Sequence, residues 1–291
     1  MATLRDIRRR IGSVQNTRKI TKAMEMVAAA KLRRNQQRIQ ALRPYARDMM
    51  EMMVDLATYS LESRQATLLQ QREVHTVAVV AMTGDRGLAG AFNSNVVRKA
   101  LEIERGLRAD GAETRVIAVG RKGIGTLRFR GCSLERSWQG LSDRPEHTDA
   151  QEIARYLIDI YTKREVDQVR LVYNHFTSPI EQTLLDEVIL PVPREAVVGQ
   201  GREVGPVTFI YEPSANTLLE GLLPAYVEIA VYRALLESSA SEQGARMSAM
   251  RNASDSAEEM LESLTLASNR ARQASITQQI LEVVAGAEGL G

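Results

Sequence analysis

Residues 216–284 read NTLLEGLLPAYVEIAVYRALLESSASEQGARMSAMRNASDSAEEMLESLTLASNRARQASITQQILEVV. The run holds one proline, Pro224, and a mid-run glycine, Gly244, and is otherwise rich in Ala, Leu, Glu, Arg, Gln and Met, the strong helix formers. It predicts one very long helix. At about 1.5 Å per residue such a helix spans roughly 100 Å, several times the diameter of a small domain, so most of it is expected to reach into something else. Leu218, Leu222, Ala225, Ile229, Tyr232 and Leu236 alternate by three and four, the seam of a helix packed on another helix. Beyond Gly244 the stripe thins to Met247, Met250, Ala257, Leu261 and Leu264, after which Ser, Asn, Arg and Gln dominate. A polar partner, or a surface that must not stick, would suit that change.

The other end of the chain offers a mate. Thr3 and Asp6 form a capping-box pattern, with Asp in place of the longer Glu, that starts a helix at once. Leu4, Ile7, Ile11 and Val14, then Ala28, Leu32, Ile39, Leu42, Ala46, Met49, Met53 and Leu56 hold a three-four register, with breaks at Arg18, Thr21, Glu25 and Asn35. Pro44 is expected to bend this helix without ending it, because the pattern resumes on both sides. The two terminal helices are therefore expected to pair antiparallel, with Ala28, Ala29 and Ala30 permitting close approach. Residues 1–50 carry thirteen Lys or Arg against Asp6, Glu25 and Asp48, so the first helix is a cationic rod inside a chain of net charge +2. A basic, acid-poor start can be a transit peptide, but the heptad pattern from Leu4 reads as mature structure.

Between the rods the texture changes. Residues 76–82, 114–119, 168–175, 183–190 and 207–211 are β-branched-rich strands, with helices over 91–108 and 150–163, the latter capped by Thr148 and Gln151. The alternation implies a mostly parallel sheet, and the 168 and 183 runs, joined by a short turn at Ser178 and Pro179, imply an antiparallel hairpin. Segment 191–206 reads as an exposed loop. The expected fold class is thus α/β, a Rossmann-like domain over 74–211 flanked by coiled-coil helices over 1–62 and 214–286. Aromatic residues make up only 4%, as long helices rather than a large β protein would have it. The single cysteine, Cys132, excludes an internal disulfide and a cysteine zinc site and points to a reducing compartment. No apolar run approaches the ~18 residues of a membrane span.

Candidate chemistry is thin. Gly84, Gly87 and Gly90 in GDRGLAG follow a strand and precede a helix, where a dinucleotide fold cradles pyrophosphate. Their spacing departs from the fingerprint, and no acidic residue ends the second strand to hold a ribose. A tight turn presenting Asp85 and Arg86 to a partner fits better. GRKGIG at 120–125 reads as a plain strand-to-loop turn. His75, His147 and His175 stand apart, without metal or triad spacing, and suit the surface or strand ends. Methionines 49, 50, 52 and 53 suit core packing. On residue physics alone a dinucleotide-dependent oxidoreductase and a basic helical nucleic-acid binder stay open, although the N-terminal charges surround their helix and lack interleaved aromatics.

Longer motifs narrow the field. IGSVQNTRKITKAMEMVAAAKLRR at 11–34, GDRGLAGAFN at 84–93, ASEQGARMSAMRNASDSAEEM at 240–260 and NRARQASITQQILEVVAGAEG at 269–289 together resemble the gamma subunits of F-type ATP synthases, nearly end to end. The resemblance implies a non-catalytic central-stalk rotor without cofactor or metal. Its paired terminal helices would sit in a hexamer of alpha and beta subunits, with the α/β domain on the c-ring beside the epsilon subunit and no nucleic acid bound. It also implies a peripheral protein on the cytoplasmic face of a bacterial membrane. By family position Met24, Arg246, Arg272 and Gln273 meet the hexamer. The loop with Asp85, Arg86 and Ala89 lies near an acidic lever of beta, and Tyr211 and Glu212 touch the c-ring. The chain departs from the family where an acid is frequent, at Gln279, and where a cysteine is frequent, at Ala89. It also lacks the inserted cysteine pair of the plastid type, which excludes regulation by an internal disulfide and implies a bacterial origin.

Overall fold

The structure, a computed structural model, describes residues 3–59, 67–178, 182–193 and 214–288. Helix α1 covers Leu4–Tyr59 and continues past Pro44 without ending. The α/β elements follow as β1 (Thr76–Met82), α2 (Phe92–Ala109), β2 (Glu113–Val119), α3 (Arg121–Phe129), β3 (Leu134–Trp138), α4 (His147–Thr162), β4 (Gln168–Phe176) and β5 (Gln182–Leu190). Helix α5 covers Ala215–Glu288 and includes Pro224. The expected strand at 207–211, Tyr211, Glu212, Pro179 and residues 194–206 of the expected loop lie outside the described residues.

The chain divides into two compact units, residues 1–28 with 246–291, and residues 29–245. Each long helix contributes to both. In the second unit five strands lie in the order β3-β2-β1-β4-β5, parallel except for β5, which pairs antiparallel with β4. The sheet is covered on both faces, which is why TVAVVAM shows no alternation: a strand buried on both sides needs apolar residues throughout. Val77, Val79 and Ala81 of β1 face α2 and α3 with Val96, Ala100 and Leu127. Ala78, Val80 and Met82 face the other way, into a core shared with Ile153 and Leu157 of α4, Met49, Met53 and Leu56 of α1, and Leu219, Leu223 and Val227 of α5.

Three expectations need correction, and one strand had no counterpart among them. The segment 120–125 opens helix α3 where a loop was expected, because Gly120, at φ 96°, lets the chain turn sharply off β2. β3, LERSW, escapes the strand reading since an edge strand with only one fully buried residue carries little apolar signal. Helix α4 starts at His147, behind Glu146, whose N–H donates to Asp149 Oδ2 at 2.8 Å, so the cap falls before Thr148. On α5 two of the expected seam positions, Ile229 and Leu236, are buried, together with Leu219, Leu223, Val227, Ala230, Val231, Ala234 and Leu235, while the other four, Leu218, Leu222, Ala225 and Tyr232, are half-buried. The helix packs on α1 and on the sheet together, and two neighbours require two apolar faces.

In the first unit the helices run antiparallel, since Glu25 meets Arg251 (3.0 Å) and the earlier Arg18 meets the later Glu258 (2.9 Å). Thr3 Oγ1 donates to Asp6 Oδ2 at 2.7 Å, and the box forms as expected despite the short acid. Thr21, Glu25 and Asn35, expected as breaks in the register of α1, are instead buried seam positions in phase with Ala28, Leu32 and Ile39. Each is polar because it has a partner: Thr21 donates to Arg18 O, Glu25 accepts from Lys22 and Arg251, and Asn35 donates to Ser239 Oγ. A seam that is polar at chosen positions fixes register more strictly than an apolar one, since slippage strands a buried group.

Two measurements follow. A Cβ at residue 120 would stand 2.1 Å from Thr83 O at a φ that side chains avoid, so Gly120→Ala should destabilise the 29–245 unit by about 2–4 kcal/mol in denaturant unfolding. The Lys22 ammonium, helped by Arg251 and opposed by burial, holds the Glu25 carboxyl below its ordinary value. A carboxyl with a depressed folded pKa gives stability that is present above its unfolded pKa and lost as pH falls through the folded value. Helicity of the paired termini should therefore decline on acidification below the usual Glu range, and Glu25→Gln should flatten that part of the circular-dichroism profile while lowering helicity at neutral pH.

Candidate functional site

In an open, mostly parallel sheet the natural ligand crevice lies outside the carboxyl ends of the strands, where the strand order reverses. Here the reversal falls between β1 and β4. Helix α5 occupies that place. Every residue from Ala234 to Gly244 is buried, although the sequence there, ALLESSASEQG, is mostly polar. Burial of polar groups is tolerable chiefly where they find partners, and Glu237, Ser238, Ser239 and Ser241 find theirs on the strand ends, the loop after β3 and α1, whereas Gln243 Nε2 is buried without one.

Ser238 Oγ makes a long contact to Met82 O at the end of β1 (3.4 Å), and Ser241 Oγ donates to Asn174 O on β4 (3.1 Å). Ser239 Oγ donates to Ser142 O, after β3, at 2.6 Å and accepts from Asn35 Nδ2 of α1 at 2.8 Å. Glu237 Oε2 lies 2.7 Å from His175 Nδ1. One turn earlier Arg233 Nη2 donates to Glu187 Oε1 at 2.5 Å, and the Tyr173 hydroxyl donates to Glu187 Oε2 at 2.8 Å. Burial, with the Glu187 carboxylate second, drives the Tyr173 phenol far above its ordinary pKa, so it remains a donor.

The glycine loop is built around this helix. Gly84, where a dinucleotide fold would bring backbone against pyrophosphate, has the Glu242 carboxylate against it instead: an added Cβ would lie 2.5 Å from Glu242 Cδ. The buried Glu242 side chain fills the space that a phosphate would need, and the Gly84 N–H is already donated to Asn93 Oδ1 at 2.8 Å. That closes the dinucleotide reading of GDRGLAG. Thr83 ties the two glycine clusters, its hydroxyl donating to Val119 O (2.8 Å) and accepting from Gly123 N (2.9 Å).

The expected site residues divide between the two units. In the second unit Asp85 turns inward. Its carboxylate accepts the N–H groups of Arg121, Gly140 and Ser142 at 2.9, 2.9 and 3.1 Å, and its own N–H donates to Ser142 Oγ at 2.8 Å. Burial alone would raise its pKa, but the three backbone N–H groups outweigh it and hold the carboxyl below its ordinary value. Ala89 is buried at 2% exposure, whereas Arg86 and Leu88 are exposed, Leu88 at φ 62°. The loop therefore presents Arg86 and Leu88, with Asp85 as its internal anchor. Leu88 had no signal beyond a leucine set between glycines.

In the first unit Met24 is half-buried, Arg246 is buried at 7%, and Arg272 and Gln273 are exposed. Helix α1 begins at Leu4, and α5 is exposed from Arg272 to Leu281. Here the expected polar ending is incomplete. Ile276, Ile280, Leu281, Val283 and Val284 are 48–72% exposed, so an apolar surface returns at the tip without a covering element among the described residues. His75 lies just before β1, His147 starts α4 and His175 lies near the end of β4. Among the described residues no cluster of three or more His, Cys, Asp or Glu is placed to hold a metal, and no helix is long and apolar enough to cross a membrane.

Comparison with known proteins fits this geometry. The family model described as ATP synthase matches residues 3–290. The chain is 46% identical to the ATP synthase gamma chain of Moorella thermoacetica over 292 residues, with all of both chains covered. It is 44% identical to that of Rubrobacter xylanophilus over 291 residues, covering all of this chain and 99% of the relative. Among solved structures, a chain from the central stalk and c-ring of Tetrahymena thermophila mitochondrial ATP synthase aligns at 30% identity with a TM-score of 0.58, covering 81% of this chain and 99% of that one. A chain of the Euglena gracilis mitochondrial enzyme shares the fold at TM-score 0.69 and 18% identity, over 99% of this chain and 94% of that one. With identity of this level along the whole length and a crevice plugged by its own helix, the chain belongs to the gamma chains of ATP synthase.

Proposed function

We propose that the chain is the central-stalk rotor of a proton-translocating ATP synthase and carries no reactive group of its own. The paired helices of residues 1–62 and 214–286 form the shaft within a hexamer of alpha and beta subunits. The domain of residues 74–211 rests on the c-ring, beside the epsilon subunit, at the cytoplasmic face of a bacterial membrane. Met24, Arg86, Arg246, Arg272 and Gln273 are the proposed contacts to the hexamer, with Tyr211 and Glu212 toward the c-ring. Asp85 and Ala89 act through the shape of the loop they hold.

One observation carries this reading: α5 continues past its pairing with α1 into a segment, Arg272–Val284, that buries little against the chain and exposes five large apolar side chains near its tip. A soluble helix end of that kind needs a sleeve. Exposed Arg5, Arg8, Arg10 and Lys19 on α1 give the same end of the molecule a cationic surface suited to acidic partners.

The mechanism needs asymmetry rather than chemistry. Two helices side by side make a shaft that is not round, so each catalytic subunit meets a different face, and differential contact energy shifts it among tight, loose and open states. Moving one site from mostly closed to mostly open takes on the order of 5 kcal/mol. Shape exclusion and a few charge-assisted hydrogen bonds from Arg and Lys are of that scale. The polar stretch between Ser268 and Ser275 lets contacts break as the shaft turns.

Calorimetry should give no heat of binding for NAD or ATP on the isolated chain, and co-expression with alpha and beta subunits should recover a stable complex. Saturable nucleotide binding, or tight salt-dependent DNA binding without association with those subunits, would overturn the assignment. In the assembled enzyme, Asn269→Leu with Gln273→Leu should slow rotation by roughly tenfold, equivalent to about 1.4 kcal/mol of added adhesion. Unchanged turnover would refute the role given to that polar stretch.

A further inference from the structure

The enclosed polar segment of α5 does more than fill a crevice. Successive helix residues are about 100° apart around the axis, so Glu237 and Ser241, one turn apart, share a side, while Ser238 and Ser239 point to two others. Their partners differ accordingly: His175 on β4, Met82 on β1, Ser142 beyond β3 together with Asn35 on α1, and Asn174 on β4. The helix is tied on several sides within little more than one turn, all inside the 29–245 unit.

Apolar packing alone resists separation of two helices more than it resists their rotation, because dispersion contacts have no preferred direction and are replaced as ridges slide past grooves. Hydrogen bonds are directional, weakening steeply as the angle opens. When they are buried, a broken bond leaves a desolvated polar group without water to replace its partner. A ring of such bonds opposes twisting of the helix about its own axis.

Building on the rotor reading, we propose that Glu237, Ser238, Ser239 and Ser241 form a torsional clamp through which rotation passes between the sheet and α5. They are positioning residues that touch no nucleotide. The clamp explains why a mid-helix segment without a ligand is both polar and buried. The apolar contacts of Leu219, Leu223 and Val227 below it hold α5 in place without fixing its rotation.

The test uses the assembled enzyme, with the hexamer immobilised and stalled and a bead fixed to the exposed outer face of α2. Ser238→Ala, Ser239→Ala and Ser241→Ala combined remove most of the buried ties and should widen the angular variance of the bead roughly twofold, since only Glu237–His175 and the neighbouring Arg233–Glu187 and Gln151–Glu228 bonds then oppose twisting. Val227→Ala, which opens a cavity in the same core, should lower the melting temperature and leave the angular width at its wild-type value. If the triple variant does not assemble, Ser239→Ala alone, which loses two bonds, should give a smaller widening in the same direction. A serine variant as stiff as wild type, or a Val227→Ala variant that softens equally, overturns the clamp. Failure of the rotor reading looks different, because with the stall released and ATP supplied the wild-type bead itself would then show no stepwise rotation.

Discussion

The interaction on which the structure depends is the one between the polar turn of α5 and the carboxyl ends of the parallel strands. A helix that passes through a crevice with Glu237, Ser238, Ser239, Ser241 and Glu242 all buried is committed to a single register, since any slip leaves several groups unpaired. The sheet in turn depends on the helix: Gly84, Met82, Asn174 and Ser142 would face an open crevice without it. A doubly wound fold usually keeps this place for a ligand. Here its own chain takes the ligand's position.

That exchange accounts for other features of the chain. The glycine loop after β1 keeps the sharp turn and close backbone approach of a phosphate-binding loop, but what approaches is a carboxylate, and the loop is stiffened by Asp85 from within. Its exposed apex then offers Arg86 and Leu88 outward on a rigid base. The polar seam positions of α1 extend the same principle along the helix pair, since Glu25 and Asn35 each fix one partner and so one register.

Burial along α5 changes in three stages: packed on two faces near Leu219 to Leu235, enclosed near Ala234 to Gly244, and lined on one side from Met250 to Ala271 before full exposure. One continuous helix spans all three because intrahelical hydrogen bonds satisfy its backbone wherever it goes, leaving the side chains free to differ.

The sequence by itself determined both long helices, four of the five described strands, the antiparallel hairpin of β4 and β5, and membership of a family, because long periodic runs and long idiosyncratic motifs carry their signal locally. It also placed Thr3 and Asp6 in a working cap. It did not determine that Thr21, Glu25 and Asn35 are interior, nor that ESSASEQ is the most enclosed part of α5. A polar residue in a sequence reads as solvated, and only the arrival of Arg251, Ser142 or Asn174 from more than sixty residues away makes burial affordable. Likewise Asp85 reads as an exposed loop acid until the N–H groups of residues 121, 140 and 142 converge on it. Local pattern fixes the elements, whereas the meaning of a polar side chain is decided by what the fold sets opposite it.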